Sequence, residues 1–232
     1  MNYDFIALDF ETASADFFSA CALGLAFVKS GKIVETKYFL LKPPIKKFNA
    51  YNTEIHGLTM EDVKDAPVFA DIWPEIKDVL QTNLLVAHAA HFDMKVLTAC
   101  CIHFKLPLPY FQFIDTFDLF HIAYPNHQKG SLDYCAKFLN IPLDNHHNAM
   151  EDAVCCATIT IKSIKRIQNL PLLQRLKAFA QVSIETNALH LSLPKLDAHH
   201  PFYGKTLHFS GKLATVKNNE ALQYQVTEKK KK

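Results

Sequence analysis

The chain has 232 residues, of which 49% are hydrophobic and 21% charged, a balance that is typical of a folded globular protein and excludes a disordered one. No apolar segment is long enough to span a bilayer and the N-terminus lacks the basic start of a signal peptide, so we expect a cytoplasmic protein with no membrane partner. The formal net charge is +2, but eight lysines and three acids fall in residues 195–232, which leaves a mildly acidic body and excludes a broad basic face for polyanions.

The first predicted element is a strand at residues 5–12 that carries two acids inside an apolar run. Because side chains alternate across a strand, Asp9 and Glu11 should point to the same face with their oxygens close together. Taken alone, this pattern is also typical of two solvated acids at a strand end. Buried like charges are costly unless a cation shares their oxygens, which favours a divalent ion such as Mg²⁺ or Mn²⁺ if the chain supplies further acids.

The elements that follow are predicted from hydrophobic periodicity, capping residues and proline positions. Further strands are predicted at residues 23–28, 32–41, 84–87 and 111–114. Helices are predicted at residues 67–80, 94–104, 115–123, after Ser131, and at 148–166, whereas residues 52–59 are predicted to form a loop. This order indicates an α/β fold, a mixed five-stranded sheet flanked by helices.

Two more acids stand at element ends, where ligand sites of open α/β sheets gather. Asp93 follows the fourth strand and Asp152 lies in the first turns of the last helix, although each alone would be an ordinary helix N-terminal acid. Together with the pair on strand one they make four carboxylates, enough for two divalent ions of the kind that promote phosphodiester cleavage. His147 precedes the last helix and is a candidate general base, because imidazole accepts protons near neutral pH.

Three segments in this order resemble the exonuclease motifs of the DEDD 3′-5′ exonucleases, histidine subgroup: residues 9–12, 88–93 and 147–152. Residues 19–24, 55–59 and 115–116 also resemble segments of that family. The resemblance covers residues 3 to 166 and is greatest to the proofreading epsilon subunit of bacterial DNA polymerase III and its free-standing relatives. It implies a ribonuclease H-like exonuclease domain over residues 1–168 that hydrolyses DNA from the 3′ end by a two-metal mechanism.

The resemblance also implies roles for individual residues. It assigns His147 as general base and gives the ligation of two Mg²⁺ or Mn²⁺ ions to four acids, Asp9, Glu11, Asp93 and Asp152. It places Thr12 and Leu58 against the terminal nucleotide and His88 and Phe92 along the cleft. Leu58 and Phe92 are equally compatible with plain core positions.

Two details of the motifs qualify these roles. His146 competes with His147 as the base, but only His147 stands five residues before Asp152, so we expect His146 to face solvent. Ala89 occupies a position where the family commonly has asparagine, which removes a polar contact next to His88.

The sequence pattern of the C-terminal remainder, residues 169–232, differs from that of the exonuclease-like part. Residues 169–200 are predicted to form a helical segment and linker. Residues 201–232 resemble the beginning of a BRCT domain followed by a lysine tail, but the fragment stops before the remaining strands and is too short to form that core.

Three functions are therefore weighed. The leading one is a 3′-5′ exonuclease acting on single-stranded 3′ ends of DNA in proofreading, repair or end trimming. The alternative within enzymes is a 3′-5′ exoribonuclease, because no residue decides for or against the 2′-hydroxyl. A non-catalytic nucleic-acid-binding adaptor is disfavoured by the complete set of four acids and one histidine. The sequence leaves open whether a DNA polymerase is a partner.

Overall fold

The computed structural model describes residues 3–108 and 110–170 and the backbone of residues 185–186. The predicted linker and the BRCT-like fragment therefore lie outside the described residues, apart from those few positions. Everything described belongs to the first of the two units into which the chain divides, Met1–Asn187 and Ala188–Lys232. Within the described ranges, no helix combines the length and apolar character needed to cross a membrane.

A mixed sheet forms the centre of this unit. Its strands are β1 (Phe5–Thr12), β2 (Ala20–Lys29), β3 (Lys32–Leu40), β4 (Leu85–Ala87), β5 (Gln112–Asp115) and β6 (Glu185–Thr186). The spatial order is β3-β2-β1-β4-β5-β6, with β1 to β3 antiparallel, β4 and β5 parallel to β1, and β6 antiparallel to β5. The predicted α/β class and its five strands are confirmed, and the two-residue β6 adds a sixth.

Seven helices surround the sheet within the described residues. They are α1 (Ala50–His56), α2 (Met60–Val63), α3 (Phe69–Thr82), α4 (His91–His103), α5 (Thr116–Ala123), α6 (Leu132–Phe138) and α7 (Ala149–Gln168). The prediction of a loop at residues 52–59 is wrong over α1. This helix has only seven residues and buries none of them, so it shows no apolar stripe in the sequence; its ends are fixed instead by the Asn49 cap and by Gly57 at φ +77°.

The two faces of β1 lead into two different cores. Ile6 and Leu8 pack with side chains of α3 and α4, whereas Phe5 and Ala7 pack with side chains of α5, α6 and α7. Both faces are covered, which explains why β1 is almost continuously apolar. By the alternation of the strand, Asp9 belongs to the face that α7 covers.

Helix α7 approaches the sheet closely at one glycine. Gly24 on β2 is the register partner of Asp9 on β1. A Cβ atom on Gly24 would lie 2.0 Å from the carbonyl oxygen of Ala149, the first residue of α7. Real Cβ contacts are never that short, so any larger residue must push the N-terminal turn of α7 away from the strand pair. This turn carries Asp152, whose distance to β1 therefore depends on Gly24.

We expect Gly24→Ala to lower the melting temperature and also to weaken the stabilisation by Mg²⁺ or Mn²⁺ that the four acids predict. Forcing a methyl group into this contact should cost about 1–3 kcal/mol and displace Asp152, one of the four carboxylates that are predicted to bind the ion. Thermal unfolding with and without the ion measures both effects.

Gly31→Ala is the matched control for this prediction. Gly31, unlike Gly24, has a left-handed backbone, at φ +67°, but a Cβ there meets nothing within 4 Å. It should therefore lower stability by about 1–2 kcal/mol without changing the increment due to the ion. Equal loss of that increment in both variants would show that Gly24 does not position α7.

Candidate metal and active site

Three of the four predicted acids form one cluster. Carboxylate oxygens of Asp9, Glu11 and Asp152 all lie within 4.8 Å of one another. The first two come from β1, and Asp152 comes from the first turns of α7, whose N-terminus is capped by the side chain of Asn148. Glu11 and Asp152 are buried and Asp9 is half-buried. The strand alternation and the helix start thus bring together groups that are 143 residues apart in the chain.

Asp93 completes the set from the opposite side of β1. It lies in the first turn of α4, is only 2% exposed, and its Oδ1 accepts a hydrogen bond of 2.9 Å from the N–H of Phe10. Its carboxylate lines the same cleft as the other three acids, although it stands outside the 4.8 Å group. The backbone of β1 therefore anchors Asp93 at the strand residue that lies between Asp9 and Glu11 in the sequence.

The ionised forms of three of these carboxylates, Asp9, Glu11 and Asp93, are destabilised by their surroundings. Burial raises the pKa of Asp9 well above its usual range, and the charges of Asp93, Glu11 and Asp152 raise it further. Burial likewise raises the pKa of Glu11 to about 8, with added contributions from Asp152 and Asp93. The pKa of Asp93 is raised mainly by burial, and the hydrogen bond from the N–H of Phe10 opposes this shift.

This donor set fits a divalent cation. Hard ions such as Mg²⁺ and Mn²⁺ prefer carboxylate oxygens, and the charged residues that line the cleft are carboxylates and histidines, without lysine or arginine among the described residues. Carboxylate oxygens of Asp9, Glu11 and Asp152 lie close enough together to bind a cation, and Asp93 lies close enough to act electrostatically on Asp9 and Glu11.

The raised pKa values predict an unusual pH dependence for the metal-free protein. The folded state binds more protons than the unfolded state, whose carboxyl groups titrate near 4, so the free energy of unfolding should fall as pH rises toward 8. The slope should reach up to about 1.4 kcal/mol per pH unit for each retained proton. Denaturant unfolding in chelator between about pH 7 and 8, above the histidine range, measures it.

Glu11→Gln should flatten this dependence, whereas Glu54→Gln, a substitution at an exposed acid of α1, should leave it unchanged. A wild-type protein whose stability does not change over the interval would contradict the expected repulsion. Saturating Mg²⁺ should make stability rise with pH instead, because deprotonated carboxylates bind the ion and the bound ion stabilises the folded state.

The two histidines before α7 are stacked on each other. Their ring centroids are 3.9 Å apart, and His146 Nδ1 lies 3.0 Å from Asp152 Oδ2. The expectation that His146 is exposed to solvent is confirmed, and one nitrogen of its ring also reaches the carboxylate of Asp152. His147 adopts φ +70° and its backbone N–H donates to the same oxygen at 3.0 Å. Burial, followed by the charge of His146, lowers the pKa of His147 and favours its neutral form.

The remaining predicted residues fall into two groups. Thr12, His88 and Phe92 line the cleft, which encloses about 740 Å³, enough for a nucleotide. His88 uses both ring nitrogens internally, at 2.8 Å from Thr116 Oγ1 and 2.7 Å from the carbonyl oxygen of Gly130. Leu58 packs instead against a small cluster that includes Val63, and a contact of Leu58 with substrate stays a prediction.

Helix α1 contributes residues that sequence reasoning missed. Tyr51, Asn52 and Ile55 line the cleft, and Asn52 Nδ2 donates to the carbonyl oxygen of Thr12 at 2.8 Å. His56 Nε2 lies 3.2 Å from the same oxygen. The anchored carbonyl sits where the register between β1 and β2 shifts, so α1 fixes the irregular end of the strand that carries Glu11.

Ala89 has a left-handed backbone, with φ +58°. Asparagine tolerates this conformation better than alanine, which gives a physical reason for the asparagine that the family commonly has here. In this chain the turn is held by Asp115, which accepts hydrogen bonds from the N–H groups of Ala89 (3.0 Å), Ala90 (2.9 Å) and Phe117 (2.9 Å). One carboxylate therefore caps α5 and clamps the start of α4.

Ala89→Gly should stabilise the protein by about 1 kcal/mol, because glycine removes the left-handed strain that alanine stores. Denaturant unfolding measures the change. Ala90→Gly is the control: Ala90 is buried with φ −49°, a conformation natural to alanine, so glycine there should destabilise. Destabilisation by both substitutions would mean that Ala89 is not strained.

Comparison with known proteins identifies the family to which this chain belongs. Residues 6–160 match the profile of the RNase T exonuclease family. The chain belongs to this exonuclease family. The predicted enzyme class, a 3′-5′ exonuclease, is thus confirmed at the level of the family, and membership implies dependence on a divalent metal ion.

Two relatives in sequence are bacterial proteins. The chain is 32% identical over 176 residues to the 3′-5′ exonuclease DinG of Staphylococcus haemolyticus. This match covers 72% of this chain and 19% of that protein. It is 26% identical over 199 residues to the PolC-type DNA polymerase III of Caldanaerobacter subterraneus, covering 85% of this chain and 14% of the polymerase. The chain therefore spans less than one fifth of the length of these curated relatives.

Solved structures share the fold. Exonuclease X in complex with 5′ overhanging duplex DNA matches with a TM-score of 0.59 and 23% identity, over 75% of this chain and 98% of that one. The nuclease domain of 3′hExo, a DEDDh family member bound to rAMP, matches with a TM-score of 0.63 and 16% identity, over 79% and 96%. The expected ribonuclease H-like fold is confirmed.

Proposed function

We propose that this chain is a metal-dependent 3′-5′ exonuclease that removes nucleotides one at a time from single-stranded 3′ ends of DNA, in the manner of the DNA polymerase III epsilon subunit. The observation that carries the proposal is the convergence of Asp9, Glu11 and Asp152 with buried Asp93 in one cleft beside His147. The names of the relatives, a 3′-5′ exonuclease and a DNA polymerase, support DNA as the substrate.

The four acids are proposed to hold two ions, Mg²⁺ or Mn²⁺. A single such ion keeps several waters and takes one or two protein carboxylates, so a set of four supports a pair. When bound, the ions supply Lewis-acid stabilisation of the charge that develops during phosphodiester cleavage.

His147 is proposed as the general base. In the reaction the oxygen of water forms a bond to the terminal phosphorus, His147 accepts a proton of that water, and the bond to the 3′ oxygen of the preceding nucleotide breaks, after which this oxygen takes up a proton from solvent. The products are a nucleoside 5′-monophosphate and a strand with a new 3′-hydroxyl. The lowered pKa of His147 supports this role, because only the neutral ring can accept a proton. Thr12 and Leu58 are proposed to contact the leaving nucleotide, with His88 and Phe92 along the cleft.

The setting of the reaction belongs to the proposal as well. Proofreading, repair or end trimming would each use this activity, and a DNA polymerase is the partner that the PolC-type relative suggests. All six cysteines are buried and free, which supports a reducing compartment such as the cytoplasm. The second candidate, a 3′-5′ exoribonuclease, differs only in accepting the 2′-hydroxyl.

The test of the proposal is degradation of 3′-labelled and 5′-labelled DNA and RNA oligonucleotides with Mg²⁺, Mn²⁺ or chelator. The 3′-labelled oligonucleotides should release labelled mononucleotide at once, and only when metal is present. DNA should be cleaved faster than RNA. Asp9→Asn should abolish cleavage, whereas Asp78→Asn, at an exposed acid of α3, should not. Faster RNA cleavage would establish the second candidate, and wild-type activity in Asp9→Asn would refute the site.

His147→Ala should lower the rate at saturating metal by about 10²–10⁴-fold, the usual contribution of a positioned base, while DNA binding persists. His146→Ala should have a much smaller effect, because its ring touches Asp152 but has no assigned proton transfer. Rates of single-turnover cleavage compare the two variants. If His146→Ala loses as much rate as His147→Ala, the base has been assigned to the wrong histidine.

A further inference from the structure

A second group of metal-ligating side chains shares Asp152 with the acids of β1. His146, His147 and Asp152 each offer one ligand atom, and these three atoms lie within 4.8 Å of one another. Nδ1 of His146 lies 3.1 Å from Oδ1 and 3.0 Å from Oδ2 of Asp152. The proposed reaction uses the ring of His147 as a base and gives the ring of His146 no role, so the pair of imidazoles needs a further explanation.

The backbone before α7 holds the two imidazoles beside the same carboxylate. His147 adopts φ +70°, an uncommon conformation for a residue other than glycine, and its N–H donates to Asp152 Oδ2 at 3.0 Å. The two rings stack with centroids 3.9 Å apart and an interplanar angle of 18°. Asn145 fixes the start of this bend, because its N–H and its Nδ2 donate to the carboxylate of Glu151 at 3.0 and 2.7 Å. Little further ordering is therefore needed when an ion binds.

Two imidazoles and a carboxylate form a donor set for a borderline transition-metal ion. Zn²⁺ binds histidine nitrogen and aspartate oxygen, and in open sites it takes three protein ligands and a water. Mg²⁺ and Mn²⁺ instead prefer sets made of oxygens, such as Asp9 and Glu11 with Asp152. Ligand atoms around tetrahedral zinc lie roughly 3.4 Å apart, because the bonds are about 2.0–2.1 Å long. A modest rotation of the stacked rings reaches that spacing, and the side chain of His146 is 34% exposed, which leaves it room to turn.

We propose that His146, His147 and Asp152 bind Zn²⁺ as an inhibitory ion, in a site that regulates the proposed nuclease and rests on that function for its effect. Neutral imidazole has one free lone pair, so the ring of His147 can no longer accept a proton from water once zinc binds it. The carboxylate oxygen of Asp152 that binds zinc is likewise withdrawn from ions held by the other acids. Zinc should therefore stop cleavage that Mg²⁺ supports.

The first measurement is binding, which does not depend on the nuclease reaction. The full chain in saturating Mg²⁺ is titrated with Zn²⁺ by calorimetry and with Co²⁺, a substitute for zinc whose visible absorption reports nitrogen ligands in a four-coordinate site. His146→Gln removes the imidazole but can still donate a hydrogen bond to Asp152. It should bind both ions at least about tenfold more weakly than wild type, since loss of even an outer partner of a metal ligand costs 10–100-fold in affinity.

The other adjacent pair of histidines in the sequence, His199 and His200, provides the matched control. The double variant His199→Gln, His200→Gln removes two imidazoles from the C-terminal remainder and none from the proposed site. It should retain the zinc affinity and the Co²⁺ absorption that His146→Gln loses. Loss of both signals in the double variant but not in His146→Gln, or no absorption in wild type, would overturn the site.

Inhibition is measured as single-turnover cleavage of a single-stranded oligonucleotide in saturating Mg²⁺ with increasing Zn²⁺, each variant being normalised to its own rate without zinc. The Zn²⁺ concentration that halves the rate should rise at least about tenfold in His146→Gln and stay at the wild-type value in the double variant. Equal sensitivity in all three proteins, or acceleration by Zn²⁺, would overturn the inhibitory site. If wild type cleaves nothing with Mg²⁺, the proposed nuclease function fails; the metal site is then refuted only if wild type and His146→Gln bind Zn²⁺ and Co²⁺ equally, and supported if they do not.

Discussion

Repulsion among four carboxylates that the fold gathers in one cleft is the constraint on which the rest of this structure depends. Burial and mutual charge raise the pKa values of three of them, so the protein must hold them together against a force that would separate them. A divalent cation reverses that force. The fold thus maintains a site that is electrostatically unfavourable until its ion binds, as is common where stability is exchanged for function.

Backbone contacts supply the opposing force. The N–H of Phe10 binds Asp93, the close approach at Gly24 brings in α7 with Asp152, and Asn52 holds the carbonyl of Thr12. Two of these contacts tie α4 and α1 to β1, and the third rests α7 on β2 beside Asp9, so β1 with its partner strand is the common reference for the cleft. A strand paired on both edges and buried on both faces is well suited to this, because it has little freedom to move.

Sequence reasoning recovered the parts of the site that depend on local periodicity. The pair on β1 followed from strand alternation, and α4 and α7 followed from apolar spacing, although α4 begins at His91 and not at the predicted residue 94, so the acids could be brought to one sheet edge. It missed contacts made by backbone atoms or by short polar segments. Helix α1 buries no residue, and the contact of His146 with Asp152 depends on a tight bend at His147 that no periodic pattern encodes. Gly24 lies in a segment that resembles the family, but nothing in the sequence indicated that α7 would pack against it.

Strand β6 changes where a self-sufficient folding unit ends. It pairs with β5 at Gln112 and Phe113, yet it lies at residues 185–186, beyond the family match at 6–160 and beyond the boundary expected at 168. A chain cut at that boundary would present the outer side of β5 as an unprotected row of donors and acceptors, next to the partly apolar β5 sequence. Open edges of this kind recruit strands from other molecules, so the shortened domain would be prone to self-association.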